Sequence, residues 1–187
     1  MNAPHESENA IKEIVMNSDY LQPAIIPPDS GKVLHFLGVT HKLTRQHTGG
    51  AYYLFEFAFD PESGNGLHVH SYEDEVVYVL KGAIQIRLGD AKLQAVAGGV
   101  AHLPKNIPHA LYNPLKVPSR YLAIAIPGGM ENFFDELSVA QEAGTLDDAM
   151  HEKISRKYGI DLRYRSCGSM KRRFSKHSFG AGERYID

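Results

Sequence analysis

Between Val33 and Pro127 the chain alternates apolar and polar positions in short runs. The clearest run is AYYLFEFAFD (51–60), in which every second residue from Tyr53 is aromatic. This period of two predicts a β-strand with one buried face. Seven further short runs follow, and Gly, Pro or Asn stands at nearly every junction between them. Many short strands at this spacing predict an all-β sandwich or barrel.

The period changes after Pro127, where two segments have the spacing of amphipathic helices. Residues 130–144 place three large apolar side chains on one side, and residues 145–159 carry an apolar stripe at every fourth position. Thr145 is the expected N-cap of the second helix, and Gly159 suits the position just after its last turn. The sequence therefore predicts two helices after the strands.

The composition of the chain divides it into four parts. Residues 1–30 are polar and then proline-rich, which predicts an extended arm or, equally well, a frayed terminus. Residues 31–128 hold the strands, and residues 129–160 hold the helices, which we expect to pack on them. Residues 161–187 are rich in Arg and Lys and predict a solvated basic tail.

Composition excludes several classes of function. The 187 residues carry a formal charge of -2, from 20 basic and 22 acidic side chains, so no overall attraction to nucleic acid or an anionic membrane is expected. The single cysteine, Cys167, cannot form an intrachain disulfide, which fits a reducing compartment. The first residues lack the basic and apolar regions of a secretion signal. We therefore predict a cytoplasmic protein.

Histidines and acidic residues gather around the junction of two predicted strands. His68 and His70 are two apart on a strand, so both imidazoles point to the same face. Three acids follow closely, Glu73, Asp74 and Glu75, and a tight turn could bring one carboxylate back to the imidazoles. The spacing alone does not choose among the three acids.

His109 opens a later predicted strand and could complete the set. Three neutral imidazole nitrogens and one carboxylate oxygen suit a divalent transition ion. Without an ion, such a group on a strand interior would be a costly set of buried polar side chains. Six other histidines are expected to be solvated or hydrogen-bonded surface residues: His5, His35, His41, His47, His151 and His177.

The stretch GNGLHVHSYEDEVVYVLKG resembles the first sequence motif of the cupin family, in which HxH is followed by a glutamate and then a glycine. Four residues separate His70 from Glu75, and six separate Glu75 from Gly82, as in that motif. The resemblance selects Glu75 over its acidic neighbours. It covers residues 33–127 together with the second motif.

The stretch GGVAHLPKNIPHALYN resembles the second cupin motif, which supplies His109. Two positions depart from the family pattern. Gly99 stands where an aspartate is usual, and Asn106 stands where a glycine is usual. Asparagine tolerates left-handed backbone better than most residues, so the turn at Asn106 should survive. Neither departure removes a ligand.

The resemblance implies an all-β double-stranded β-helix, a jelly-roll cupin barrel, followed by the two C-terminal helices. It implies that one divalent transition-metal ion (Fe, Mn, Ni, Co, Cu or Zn) is held inside the barrel mouth by four ligands. Those ligands are His68, His70, Glu75 and His109.

Pro104-Lys105-Asn106 and the segment IPGGMENFFDEL are similar to quercetin-dioxygenase-like cupins. The leading hypothesis is therefore a dioxygenase that uses O2 on a small molecule with an enol or phenol group. Glu75 would be catalytic as well as a ligand, because a loosened carboxylate can take the substrate proton. The alternatives are a metal-dependent sugar or keto-acid isomerase or lyase, a non-catalytic binding module, and a protein with a structural ion.

Several residues are expected to line a substrate pocket beside the metal ligands. For the aromatic candidates, core packing between the sheets is the favoured alternative, and the placement of one histidine and one asparagine depends on strand parity. The candidates are Tyr53, Phe55, Phe57, His102, Tyr112 and Asn113. We expect a homodimer, as is common for cupins of this size, with no nucleic-acid or membrane partner.

Overall fold

The computed structural model describes residues 24–163. The predicted arm before residue 24 and the basic tail after residue 163 lie outside the described residues. Eleven strands and three α-helices form between them, with a short 3-10 turn at His35–Leu37. In chain order these elements are β1 (Lys32–Leu34), β2 (Val39–Leu43), α1 (Arg45–Thr48), β3 (Tyr53–Phe59), β4 (His68–His70), β5 (Asp74–Lys81), β6 (Ala83–Leu88), β7 (Ala91–Val96), β8 (Val100–Leu103), β9 (His109–Tyr112), β10 (Ser119–Ile126), α2 (Glu131–Glu142), α3 (Asp148–Lys157) and β11 (Ile160–Leu162).

The strands form two antiparallel sheets that share one core. The first sheet has the order β1-β2-β3-β10-β5-β8, and the second has the order β11-β4-β9-β6-β7. Strands that are distant in sequence are neighbours in both sheets, as the crossing connections of a jelly roll require. The predicted all-β jelly roll with two C-terminal helices is confirmed.

An aromatic layer fills the core between the first sheet and the helices. The alternation predicted for β3 is present, since Tyr53, Phe55 and Phe59 are buried. The Tyr53 and Phe55 rings stack with 4.5 Å between centroids, and Phe134 of α2 packs 5.5 Å from Phe55. This apolar contact explains why α2 lies on the barrel, because burying such rings is strongly favourable.

The second C-terminal helix begins later than the sequence indicates. Thr145 is not its N-cap, because the Thr145 hydroxyl donates to the Ala140 carbonyl at 3.2 Å. Asp147 takes that role, and its carboxylate accepts from the Met150 amide at 2.7 Å. A carboxylate at this position also favours the positive end of the helix dipole.

The last strand, β11, has no counterpart among the predicted strands. β11 is only three residues long and is held in place by its pairing with β4. Ile160 lies opposite His70, and Leu162 lies opposite His68. The strand runs across the predicted boundary between residues 160 and 161. Gly159 makes the turn into it with a φ of +70°. The chain after α3 therefore returns to the barrel at the two histidines.

Within the described residues, every helix is too short or too polar to cross a membrane.

Candidate metal centre

Three strands bring the predicted ligand side chains together. β4 carries His68 and His70, and β9 carries His109 directly opposite His68 in the sheet. The three imidazole rings lie 4.5 to 5.0 Å apart between centroids. On β5 of the other sheet, Glu75 places one carboxylate oxygen 3.7 Å from Nε2 of His109. The four residues converge although 41 positions separate the first from the last.

Backbone carbonyl groups orient two of the rings. Nδ1 of His68 lies 2.7 Å from the Gly66 oxygen, and Nδ1 of His109 lies 3.1 Å from the Ile107 oxygen. A carbonyl oxygen only accepts hydrogen bonds, so Nδ1 must donate in both rings. In the neutral ring, Nε2 then carries the lone pair, and this lone pair can bind a metal ion.

Burial keeps the imidazoles of His68 and His70 neutral. Loss of solvent, with His109 and His70 nearby, holds the pKa of His68 well below its usual value. Loss of solvent likewise lowers the pKa of His70 to about 4, although Glu75 acts in the opposite direction. A charged imidazole cannot coordinate a cation, so lowered pKa values leave the lone pairs available at neutral pH.

The two nearby glutamates occupy different places. Glu75 is buried, lines the central cavity and lies on the Nε2 side of His109. Glu73 is also buried, but its carboxylate lies 3.9 Å from Nδ1 of His70 and does not line that cavity. Burial raises the pKa of Glu73 to about 7. Glu75 is therefore the acid placed to act on a ligand in the cavity.

The donor set fits a transition-metal ion. One donor atom from each of His68, His70 and His109 lies within 4.8 Å of the other two. Nε2 of His109 is buried and makes no hydrogen bond within the protein. A buried polar atom of this kind is normally satisfied. A divalent ion bound by the three imidazoles, with Glu75 beside them, would satisfy it.

A cavity of about 760 Å³ opens onto His68, His70 and Glu75, and this volume is within the range of small-molecule sites. Its walls are mostly apolar and aromatic, with His68, His70 and Glu75 at one place on them. Among residues 24–163, neither lysine nor arginine lines it. The aromatic wall residues are Phe36, Phe55, Phe57, Phe59, Tyr121, Phe133 and Phe134.

Two of the six predicted pocket residues, Phe55 and Phe57, line this cavity. Tyr53 does not: it is completely buried, its ring stacks on Phe55, and its hydroxyl lies 2.7 Å from Nδ1 of His41. His102 also lies elsewhere, on the exposed side of β8 opposite Val76. Because Glu75 faces inward, its neighbour Val76 and the paired His102 must face outward.

Tyr112 and Asn113 are likewise away from the cavity wall. Tyr112 is buried on the opposite face of its sheet from Leu111, where it packs with Ala110 and Leu67. The Asn113 amide donates to the Asp60 and Val117 carbonyls at 2.9 and 2.8 Å, and its oxygen accepts from Ser119 at 2.8 Å. These hydrogen bonds close a loop, so Asn113 has a structural role and does not line the cavity.

The structure adds cavity residues that the sequence patterns did not indicate. Tyr121 of β10 and His151 of α3 both line the cavity, although His151 was expected on the surface. Parity with Ala123 and Ala125 could have marked Tyr121 as inward-facing. Nothing local marks His151, because its position depends on how α3 packs against the barrel.

Comparison with known families places a cupin domain in the barrel. Residues 55–125 match the family model described as "Cupin domain". This range includes all four candidate ligands. The search of curated protein sequences gave no match.

Several solved structures are similar to this chain at low sequence identity. KdgF from Halomonas sp. aligns with a TM-score of 0.50 and 16% identity, over 59% of this chain and 99% of that one. A Cupin 2 conserved barrel domain protein from Salinispora arenicola gives 0.47 and 17%, over 73% and 98%. A predicted oxalate decarboxylase from Thermotoga maritima gives 0.46 and 23%, over 48% and 78%.

The two spaced motifs, the jelly-roll barrel and the match over residues 55–125 agree with one another. Residues 55–125 of this chain are therefore similar to the cupin domain family.

Proposed function

We propose that the protein is a metal-dependent dioxygenase acting on a small aromatic molecule with an enol or phenol group, in the manner of quercetin-dioxygenase-like cupins. The observation that carries the proposal is the pairing of the His68, His70, His109 and Glu75 cluster with an aromatic cavity. A flat aromatic substrate would stack on the phenyl rings and present its oxygen to the cluster.

The charges of the cavity favour a neutral substrate. A carboxylate substrate, such as a keto-acid or a sugar acid, is usually held by Arg or Lys. Among residues 24–163 the cavity wall has neither. This supports an enol or phenol over the acids of the isomerase or lyase alternative.

A divalent ion bound by the cluster would supply Lewis-acid and redox chemistry at that end of the cavity. The protein's own part is to position the substrate and to move one proton. Glu75 lines the cavity, so its carboxylate can accept the enol or phenol proton. The surrounding phenyl rings exclude water, which strengthens the interaction of Glu75 with the developing enolate.

The test uses protein purified without chelators, with its metal content measured by elemental analysis. Flavonols, which have the enol hydroxyl, should consume O2, and both atoms of ¹⁸O₂ should enter the product. The matched flavones, which lack only that hydroxyl, should not react. Turnover of a sugar or keto-acid without O2 would instead support the isomerase or lyase, and flavonol binding without turnover would support a binding module.

A further inference from the structure

We infer that the hydroxyl group of Tyr121 donates a hydrogen bond to a second oxygen of the substrate, a carbonyl that is conjugated to the enol or phenol group. Glu75 accepts the proton of that enol or phenol, whereas Tyr121 keeps its own proton. The inference rests on the proposed function and narrows its substrate class to compounds that carry both a hydroxyl and a conjugated carbonyl.

Two aromatic neighbours on β3 hold the ring of Tyr121 in the cavity wall. Tyr121 lies on β10 and is 1% exposed. Its ring stacks on Phe57 with 5.5 Å between centroids and 14° between the planes, and it meets Phe59 edge-on at 5.4 Å. All three rings line the cavity. The position of the Tyr121 hydroxyl is therefore fixed by packing before any ligand is bound, as a preorganised donor requires.

The hydroxyl group of Tyr121 has no partner within the protein. Among residues 24–163, no group hydrogen-bonds to it, and its oxygen is not enclosed by protein atoms. The oxygen is therefore open to the cavity that Tyr121 lines. Tyr53 differs, because its hydroxyl lies 2.7 Å from Nδ1 of His41. Since a buried tyrosine hydroxyl usually has a hydrogen-bond partner, a ligand in the cavity is the partner available to Tyr121.

Tyr121 and Glu75 face the cavity from neighbouring strands. In the pairing of β10 with β5, Tyr121 lies opposite Val79, and Ala125 lies opposite Glu75. Ala123 and Ala125 follow Tyr121 on the inward side of β10, and both are small and completely buried. β10 therefore places no large side chain between Tyr121 and the position opposite Glu75. One flat ligand on this wall can contact both side chains.

Tyr121 and Glu75 supply opposite hydrogen-bonding functions. An ionised carboxylate only accepts, so Glu75 suits the hydroxyl of the substrate. Burial and the charge of Glu75 hold the pKa of Tyr121 well above its usual value, so the phenol keeps its proton and can donate. A donor suits an oxygen without a proton. When the enol loses its proton, negative charge spreads to a conjugated carbonyl, and a fixed donor at that carbonyl stabilises it.

The experiment titrates the metal-loaded full chain with 3-hydroxyflavone and with 2-naphthol in the absence of O2, followed by absorbance. Both ligands have an aromatic or enol hydroxyl, but only 3-hydroxyflavone has a carbonyl conjugated to it. Tyr121→Phe should weaken 3-hydroxyflavone binding about 10- to 100-fold and shift the spectrum of the bound flavonol from the enolate toward the neutral form. Binding of 2-naphthol, the metal content and the free energy of unfolding should not change.

Two other substitutions of Tyr by Phe serve as controls. Tyr78 lies on β5 with its side chain on the outer face of the sheet, so Tyr78→Phe should change neither ligand binding nor stability. Tyr53→Phe removes the partner of a buried imidazole, so it should lower the free energy of unfolding. It should leave the spectrum of the bound flavonol unchanged, because Tyr53 does not line the cavity.

Equal weakening for both ligands, or no weakening for either, would overturn the donor role of Tyr121. A loss of stability in Tyr121→Phe as large as that in Tyr53→Phe would also overturn it, because the hydroxyl would then have a partner inside the protein. If the loss specific to 3-hydroxyflavone is found but the wild type consumes no O2, the donor role stands and the dioxygenase proposal fails. If the wild type and Tyr121→Phe bind and oxidise the flavonol equally, the dioxygenase stands and the donor role fails. Failure of the wild type to bind 3-hydroxyflavone would overturn both.

Discussion

Two of the candidate ligand histidines share a local device. In each of them, Nδ1 donates a hydrogen bond to the carbonyl oxygen two residues earlier, and this bond orients the ring. The carbonyl is that of Gly66 for His68 and that of Ile107 for His109. The contact fixes which nitrogen carries the lone pair before any ligand arrives. Metal binding at the site therefore depends on the imidazoles of both His68 and His109.

His109→Ala should remove most of the bound metal, because it takes away one imidazole and leaves only two. Loss of even an outer partner of a ligand costs about 10- to 100-fold in affinity, so loss of the ligand itself should cost more. Glu73→Gln should leave the metal content near the wild-type value, since Glu73 lies outside the cavity and its carboxylate, 3.9 Å from Nδ1 of His70, makes no hydrogen bond to that ring. Elemental analysis of both variants measures this; unchanged metal in His109→Ala would refute the site.

The turn between α3 and β11 decides how the C-terminal segment meets the barrel. Gly159 has a φ of +70°, and a Cβ there would lie 2.4 Å from the Tyr72 ring. Its carbonyl accepts from the Ser71 amide at 2.9 Å, just after β4. Glycine is therefore required twice, for the backbone conformation and for the close approach of the ring.

Gly159→Ala should lower the free energy of unfolding by more than the roughly 1 to 2 kcal/mol expected for left-handed backbone alone. Gly144→Ala is the matched control, because Gly144 has a φ of +68° and nothing within 4 Å of the added Cβ. Denaturant unfolding of both variants isolates the contact with Tyr72. Adding Tyr72→Ala to Gly159→Ala should bring the cost back to that of the control; equal costs for the two single variants would contradict the explanation.

The outer face of the first sheet is largely apolar, although Glu56 and His102 also lie on it. The apolar side chains of this face lie in two rows that cross β3, β10, β5 and β8. Two of them, Tyr78 and Val100, are 42% and 64% exposed. Contiguous apolar surface of this kind commonly marks a protein interface. A second copy of the chain could cover it with the same face, as in a two-fold dimer. The apolar positions are Leu54, Val76, Tyr78, Val100, Leu122 and Ile124.

The homodimer expected from the sequence remains a prediction, and this face gives it a location. Light scattering should find a particle of twice the 20.8 kDa chain mass for the wild type. Val100→Glu or Tyr78→Glu should reduce it to one chain, because a buried charge without a partner is costly. Val139→Glu on α2 is the control, since Val139 is 65% exposed. A wild-type monomer, or an equal effect of the control, would show that the face is not an interface.

The sequence by itself determined the barrel and the identity of the candidate ligands. The period of two in β3 and the paired histidines of β4 are properties of short stretches of chain. The resemblance to the two cupin motifs selected Glu75 and added His109. The left-handed turn at Asn106, with a φ of +64°, belongs to the same class.

Only the tertiary structure decided what surrounds those ligands. Strand parity did not reveal that the Tyr53 hydroxyl pairs with His41 or that Asn113 closes a loop, because both depend on contacts with residues elsewhere in the chain. The strand β11 and the position of His151 on the cavity wall exist only because α3 and the last strand return to β4. Three residues carry too weak a pattern to predict a strand, and their pairing partner lies 90 positions earlier.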